Sequence, residues 1–286
     1  MSALATWVMK KRLHAILGVA GFSIIPLLFW LAAAILGLVV LRKGVAEGFR
    51  VLAWGGLPAL VLWFYQGDAT TFIVLCHVVF LGYLLRTTMS WAWVLTAASF
   101  TALLSTFVLP LLMPSVLDFI TEVIQKMLAA QEVTELNEAV LYQQTVVAIS
   151  TVQVMMSVAA LFLARKWQAA LYNPGGLRKE FHQIRLPIVA SLVLGVMVLL
   201  GESLDDSYRV LSQVAIPVLV FAGIALVHGV LAKKRIGIVG LVAFYLVGLF
   251  VVNIYFMNVM VAIAVADSFI DIRGRIREKP SDSSNS

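Results

Sequence analysis

Long apolar runs are the feature that most constrains how this chain can fold. Of its 286 residues, 62% are hydrophobic and 13% are charged, whereas soluble domains carry about 25% charged residues. Several runs reach the roughly 17–25 residues that a helix needs to cross a bilayer. The apolar segments are approximately 13–41, 49–64, 70–85, 91–113, 145–164, 186–200, 209–232 and 236–268. The sequence therefore predicts an all-α, polytopic transmembrane helix bundle of about eight apolar segments.

No polar stretch is long enough to build a second core, so we expect one integral membrane domain over residues 1–272. It includes an outer loop at 114–144 and a basic loop at 165–186. A tail at 273–286 is basic at first and then Ser-rich, which is typical of disorder. The single cysteine, Cys76, excludes an intramolecular disulfide framework.

The connectors between the segments alternate in charge. Basic connectors at 42–50, 86, 165–185 and 233–235 are separated by acidic ones at 68, 114–144 and 202–206. Because Lys and Arg concentrate in the cytoplasmic loops of membrane proteins, the basic connectors are predicted to be cytoplasmic. The net charge of +6 is explained in the same way, and it does not indicate nucleic acid as a partner.

The first and last segments are longer than one untilted span requires. Chain-breaking residues occur in both, namely Gly18, Gly21 and Pro26, and then Gly248 and Asn253. If each segment turns back, both termini become cytoplasmic, and every Lys and Arg except Lys126 and Arg209 lies on that side. We therefore expect the first and last segments to be broken or re-entrant, as membrane proteins tolerate where protein or a cavity surrounds the break.

The outer loop contains an amphipathic pattern at 114–130. Its apolar residues recur at intervals of three and four, which places them on one helical face. Two interpretations are open: a helix that lies on the outer membrane interface, or one that packs over neighbouring loops. The apolar residues of this face are Val116, Leu117, Ile120, Val123, Ile124, Met127 and Leu128.

The sequence carries no recognisable catalytic or cofactor motif. The sequence contains no phosphate-binding loop, no metal-ligand cluster of His or Cys, no G-x-S-x-G and no dinucleotide fingerprint. The acidic group Glu202, Asp205 and Asp206 is interpreted as a solvated turn. We therefore predict neither an enzyme nor a bound cofactor or metal.

Polar side chains inside the apolar segments carry more information, because lipid cannot satisfy them. Each can hydrogen-bond a neighbouring helix. Alternatively, they line a cavity close to the break at 248–258, where unwound backbone could contact a ligand, and the two histidines could relay protons. The candidate cavity residues are His77, Gln153, His228, Asn253, Tyr255 and Asn258.

The basic loop contains a predicted turn, Asn173-Pro174-Gly175-Gly176. Proline presets φ for the second turn position and glycine permits positive φ after it, and Pro174 should end the preceding helix near Tyr172. Helical spacing of apolar residues then predicts a short amphipathic helix before Pro187. The candidate polar residues on that helix are Arg178, Lys179, His182 and Arg185, with His182 interpreted as an interfacial side chain and not as a catalytic base.

Acidic and basic residues also alternate at the start of the tail. Asp267, Asp271 and Arg275 stand one helical turn apart, which permits an i,i+4 ion pair between Asp271 and Arg275. One interpretation is a helix end anchored at lipid headgroups by Arg273 and its neighbours. The other is an ion-paired contact between the tail and the basic loop.

The stretches LRKG at 41–44, LARKWQAALYNPGGLRKEFHQIRLP at 163–187 and ADSFIDIRGR at 266–275 resemble the YybS-like bacterial membrane proteins, which have no assigned biochemical activity. That family is itself distantly similar to the S components of energy-coupling-factor transporters, which bundle helices around a small-molecule pocket and dock on a partner. The resemblance implies a multi-pass protein of the bacterial cytoplasmic (inner) membrane.

Two functions are compatible with these patterns. The first is a subunit that binds or transports a small solute, whose identity the sequence does not specify. The second is a membrane scaffold that recruits a cytoplasmic protein through its basic face. Attraction of that face to anionic lipid headgroups requires no protein partner, since each basic residue near the surface contributes about 1 kcal/mol.

Overall fold

The computed structural model describes residues 2–131 and 137–276, and within them the chain is helical and contains no strand. The α-helices are α1 Ser2–Lys10, α2 Arg12–Ile24, α3 Phe29–Lys43, α4 Val45–Gly55, α5 Leu57–Gln66, α6 Thr70–Thr88, α7 Trp91–Leu112, α8 Pro114–Ala129, α9 Glu138–Tyr172, α10 Gly176–His182, α11 Ile188–Ser203, α12 Arg209–Lys233, α13 Ile238–Leu246, α14 Phe256–Ile270 and α15 Ile272–Arg275. The all-α prediction is confirmed.

Four helices are long and apolar enough to cross a membrane: α6, α7, α9 and α12 with the short turn before it. A fifth span results if α4 and α5, which are bent by 48° at their junction, count as one. The predicted number of about eight is therefore not confirmed. The physical reason is length, because α2, α11 and α14 have 13, 16 and 15 residues, or about 20–24 Å at 1.5 Å per residue, against a hydrocarbon core of about 30 Å.

The first apolar segment is broken, as predicted. Its two helices are separated by residues 25–28, where Leu27 adopts a φ of 64°. The segment then reverses direction, since a Cβ on Gly18 would lie 3.1 Å from Ile35 Cδ1. In a straight helix these two residues would be about 25 Å apart.

The last apolar segment is broken too. Between α13 and α14 the backbone changes to a π-helical and then a 3₁₀ turn, and Asn253 has a φ of 48°. The rings of Phe244 and Phe256 lie 5.7 Å apart, which a continuous helix would not allow for residues twelve positions apart. Asn253 is therefore part of the break that the sequence predicted.

The core of the bundle is built around α3, whose residues from Ala32 to Leu41 are all buried. Small residues allow other helices to come close: a Cβ on Gly37 would lie 3.1 Å from Val78 of α6 and 3.2 Å from Ala164 of α9. The small-residue face of α3 is thus filled by helices of the same chain.

The polar contacts divide the bundle into two ends. At the end that we call the basic end, the Leu41 carbonyl accepts from Arg86 Nη1 at 2.6 Å, and Arg42 lies 4.1 Å over the Tyr172 ring. Arg12 pairs with Glu47 close to the end of α3, so the N-terminal helices return to the basic end as the broken-segment interpretation predicts. At the opposite end, Trp63 donates to the Leu112 carbonyl at 2.8 Å.

The predicted amphipathic helix at 114–130 is confirmed as α8. Leu117 is fully buried in a small apolar cluster with Met113 and Val146 of α9, whereas Met127 is 60% exposed. The N-terminal half of α8 therefore packs on a helix of the bundle and not over neighbouring loops, as the second interpretation had it. The acidic residues Glu132 and Glu135 and the Ser-rich end of the tail lie outside the described residues.

Candidate functional site

The elbow, residues 173–187, has the predicted local structure. α9 ends at Tyr172, the turn follows, and Gly175 adopts a φ of 83°, a value that favours glycine. The α10 helix then runs over Gly176–His182, and Pro187 directly precedes α11. Asn173, Pro174 and Gly175 are exposed and Gly176 is half-buried.

Glu180 ties the elbow to the bundle. Its carboxylate accepts from Arg165 Nε at 3.0 Å, makes a second contact with Arg165 Nη2, and accepts from Trp91 Nε1 at 3.2 Å. A two-pronged arginine–carboxylate contact fixes geometry as well as charge. Glu180 was not among the predicted site residues, although its opposite charge to Arg165 across a predicted turn was the signal that could have identified it.

The tail and the elbow meet in a cluster that we call the basic-end junction: Arg185, Asp267, Asp271 and Arg273. Asp267 is only 2% exposed, and its carboxylate accepts from Arg273 Nη2 at 2.6 Å and from the Ile272 N–H at 2.9 Å. Arg273 also donates to the elbow carbonyls of His182 at 2.7 Å and Ile184 at 2.5 Å. Arg273 thus joins the tail to the elbow through two backbone carbonyls, whereas its ion pair with Asp267 is local. The ion pair that links tail and loop, as one interpretation expected, is Arg185–Asp271.

Arg185 completes the basic-end junction from the elbow side. It donates to the carbonyls of Asp267 and Ser268, both at 2.9 Å, and its Nη1 lies 3.5 Å from Asp271 Oδ2. Those carbonyls belong to the last turn of α14, where carbonyl groups run out of intrahelical donors, and the Asp267 carbonyl also accepts from the Asp271 N–H at 3.1 Å. A cation at this position is also favoured by the helix dipole.

The structure corrects the predicted i,i+4 ion pair between Asp271 and Arg275. Helix α14 ends at Ile270, and Asp271 adopts a φ of 48° that interrupts the helix. Its carboxylate instead accepts from the Gly274 N–H at 3.1 Å and so caps α15. Among residues 2–131 and 137–276, no ion pair joins Asp271 to Arg275.

Beside the basic-end junction lies a polar depression of about 490 Å³, lined by Lys179, His182, Lys233 and Arg273 among others. The pKa of His182 is lowered by desolvation and then by the positive charges of Arg178, His228 when protonated, and Arg273. The neutral form of the ring is therefore favoured in the folded protein. The side chains of Arg178 and Lys179 are exposed.

An apolar groove of about 720 Å³ lies between α6 and α7. Its walls are largely aromatic and aliphatic: Phe72, Phe80, Phe100, Leu104, Val108 and Leu112. His77 lies inside it, with Nε2 at 3.3 Å from Ser105 Oγ. The other ring nitrogen, Nδ1, is buried and has no hydrogen-bond partner in the part of the chain that the structure describes.

The structure does not gather the remaining cavity candidates around His77. Gln153 is buried on α9 and donates to Thr70 Oγ1 at 3.0 Å. His228 Nε2 lies 2.8 Å from the Tyr245 hydroxyl, close to the elbow residue Phe181. Asn253, Tyr255 and Asn258 are exposed along the broken last segment. Gln153 and His228 therefore join helices, and only His77 lines the groove.

The described residues contain no group of three or more His, Cys, Asp or Glu side chains that could hold a metal ion. Comparison with protein-family models, curated proteins and solved structures found no match to this chain. The functional hypothesis must therefore be argued from the geometry of the site itself.

Proposed function

We propose that this chain is an integral membrane protein whose α6–α7 groove binds a small, largely apolar molecule carrying one hydrogen-bonding group. The observation that supports the proposal is His77 Nδ1, a buried polar atom without a partner in an otherwise apolar groove. Buried polar atoms are nearly always hydrogen-bonded. Six other buried side-chain atoms of the described residues also lack a partner, but His77 is the one of these residues that lines the α6–α7 groove, where a ligand group could pair with Nδ1.

The size and lining of the groove favour the same class of ligand. Its volume of about 720 Å³ lies within the range of about 300–1,000 Å³ typical of small-molecule sites, which are mostly apolar with a few orienting polar groups. Ser105 Oγ contacts Nε2 of His77 at 3.3 Å, which leaves Nδ1 as the ring nitrogen without a partner among the described residues. Depending on the tautomer, Nδ1 donates or accepts.

We further propose that the protein serves as a binding or transport subunit in a bacterial cytoplasmic membrane, similar to the S components that its resemblance to the YybS-like family implies. Four or five apolar helices are compatible with a multi-pass membrane protein. The basic end would face the cytoplasm, since that is where Lys and Arg concentrate.

Native mass spectrometry of the gently extracted protein tests the binding proposal. We expect a small molecule of defined mass on the wild type, and its loss from His77→Leu, which removes the hydrogen-bonding nitrogen. Ala97→Phe, which adds bulk inside the groove, should lose it as well. Val152→Phe is the matched control, because it adds the same ring type at a residue 61% exposed on α9. Retention of the molecule by both groove variants would contradict the proposal.

The second candidate is a scaffold that recruits a cytoplasmic protein through the basic end. It is supported by exposed cations that have no ion-pair partner among the described residues: Arg178, Lys179, Lys234 and Arg235. Arg185, in contrast, is committed to the basic-end junction. Charge reversal should therefore be made at Arg178, Lys179 and Lys234, and Arg185 should be left intact.

For the scaffold, affinity capture from native membranes should retain one defined protein on the wild type and lose it on the charge-reversed variant. The small molecule of the α6–α7 groove should be unaffected. If the charge-reversed variant keeps every captured protein, the exposed cations have no role in recruitment.

A further inference from the structure

A second groove lies at the elbow, and it shares no lining residue with the polar depression or with the α6–α7 groove. It has a volume of about 760 Å³ and lies among α9, α10 and α12. Its apolar surface is formed by Phe162 of α9, Phe181 of α10 and Phe221 of α12. The three rings contact one another, with centroid separations of 5.1 to 6.0 Å, and therefore form a continuous apolar wall.

Two cations stand at this groove, Lys166 on α9 and Arg178 on α10. Both are exposed, and neither has an ion pair or side-chain hydrogen bond within the described ranges. Their neighbour Arg165 differs, because it is paired with Glu180 and half-buried. The groove thus combines an apolar wall with two uncompensated positive charges.

The order of these residues along α9 separates the apolar part of the groove from the charged part. Ala159, Phe162 and Lys166 all line it, and this spacing of three and four places them on one helix face. From Ala159 to Lys166 the axis rises by about 10 Å. Since α9 has 35 residues, or about 52 Å, it is longer than a hydrocarbon core of about 30 Å. Its apolar run ends near residue 164, so Lys166, two positions later, is expected at the headgroup level.

We propose that this elbow groove is a specific site for an anionic phospholipid, with one acyl chain along the phenylalanine wall and the phosphate between Lys166 and Arg178. Both halves of such a ligand match the groove. Its hydrocarbon chain would pack against Phe162, Phe181 and Phe221, and its negative charge would lie close to the two free cations. A basic pocket between membrane helices is a recognised type of lipid headgroup site. A soluble anion would leave the apolar wall uncovered.

The test uses the purified full chain, stripped of lipid in a non-ionic detergent and titrated with 1-palmitoyl-2-oleoyl phosphatidylglycerol. Native mass spectrometry should show one adduct that survives after further lipids dissociate. Lys166→Gln with Arg178→Gln should lower its occupancy at least tenfold. The matched control is Lys179→Gln with Lys234→Gln, which removes the same charge from exposed residues at the same end and should keep the adduct. An equal loss in both double variants would show diffuse electrostatic attraction and overturn the proposal.

Two further arms test the acyl chain and the source of the phosphate. Ala159→Phe, at an exposed position of the groove wall, changes no charge and should also remove the adduct, with thermal unfolding confirming that the variant is folded. Phosphatidylcholine with the same chains and soluble glycerol 3-phosphate should both fail to compete. Retention of the lipid by Ala159→Phe, or displacement of it by glycerol 3-phosphate, would overturn the site as proposed. Failure here would leave the α6–α7 groove untouched, because no residue is shared between the two.

Discussion

The basic-end junction and the α6–α7 groove differ in how their buried polar atoms are hydrogen-bonded. At the junction the carboxylate of Asp267 has two donors, and Arg273 and Arg185 donate to four backbone carbonyls between them. In the groove His77 Nδ1 has no partner. The hydrogen bonds of the junction hold tail and elbow together, whereas the proposed ligand of the groove would supply the partner that His77 Nδ1 lacks.

The largest expected effect comes from breaking the ion pair at the basic-end junction. Arg273→Gln leaves the Asp267 carboxylate buried without its cation, and removing one partner of a buried pair typically costs about 3–5 kcal/mol. The free energy of unfolding in mixed detergent micelles measures this loss. Arg275→Gln, at an exposed arginine two positions along, is the control and should leave the stability unchanged. Equal stability of the two variants would mean that the buried pair contributes nothing.

A glycine substitution tests the close packing of α12 against α14. A Cβ on Gly223 of α12 would lie 2.4 Å from the Met260 carbonyl oxygen of α14, so Gly223→Ala must push the two helices apart. Overpacking of this kind costs about 1–3 kcal/mol. The matched control is Gly195→Ala on α11, where the nearest atom is Val265 Cγ2 at 3.8 Å, and it should stabilise the helix by about 0.5–1 kcal/mol. Both values come from the same unfolding titration.

In the α6–α7 groove, by contrast, we do not expect loss of the polar side chain to lower the free energy of unfolding strongly. In the ligand-free protein, His77→Leu removes a buried nitrogen that has no partner, so the free energy of unfolding should stay within about 1 kcal/mol of wild type or rise. Ser105→Ala is the companion variant, since it frees the second ring nitrogen and should lower stability slightly. A loss from His77→Leu as large as that from Arg273→Gln would remove the distinction between the two regions.

The smallest expected effect is a pH dependence at the elbow. Because desolvation and the nearby cations lower the pKa of His182 in the folded protein, the unfolded chain binds this proton more tightly. Above the pKa that His182 has in the unfolded chain, the ring therefore does not lower the free energy of unfolding. As the pH falls from that pKa towards the lower pKa of the folded protein, the free energy of unfolding decreases. Unfolding measured between pH 5 and 7.5 should show a smaller slope for His182→Gln than for the wild type. Identical slopes would show that this ring does not titrate on unfolding.

Local signals in the sequence were sufficient for the elbow and the helix breaks. Proline and glycine determine φ directly, so the end of α9 at Tyr172 and the positive φ of Gly175 follow from nearest neighbours. The interruption at Asn253 has a different signal, since asparagine is one of the residues enriched at positive φ. The number of spans did not follow, because hydropathy does not show that a broken segment yields helices too short to cross.

Long-range pairing was the part that residue types alone could not supply. The sequence allowed a contact between the tail and the basic loop, but not its partners: Arg273 donates to two carbonyls, of His182 and Ile184, that are 91 and 89 positions away. The periodicity of α14 suggested an i,i+4 pair that the left-handed Asp271 prevents. In the same way, His77 was identified because it is polar, whereas its groove depends on how α6 and α7 pack.

The most direct test of the contrast uses the chain's single cysteine, Cys76, which lines the α6–α7 groove beside His77. The measurement is the rate of alkylation by N-ethylmaleimide. If a molecule bound at His77 fills the groove, wild-type Cys76 should react slowly in native membranes and faster after the protein is stripped in detergent. His77→Leu should react in membranes at the faster rate, although leucine makes the surroundings of the thiol less polar. Equal rates for wild type and His77→Leu in native membranes would contradict a ligand held by His77.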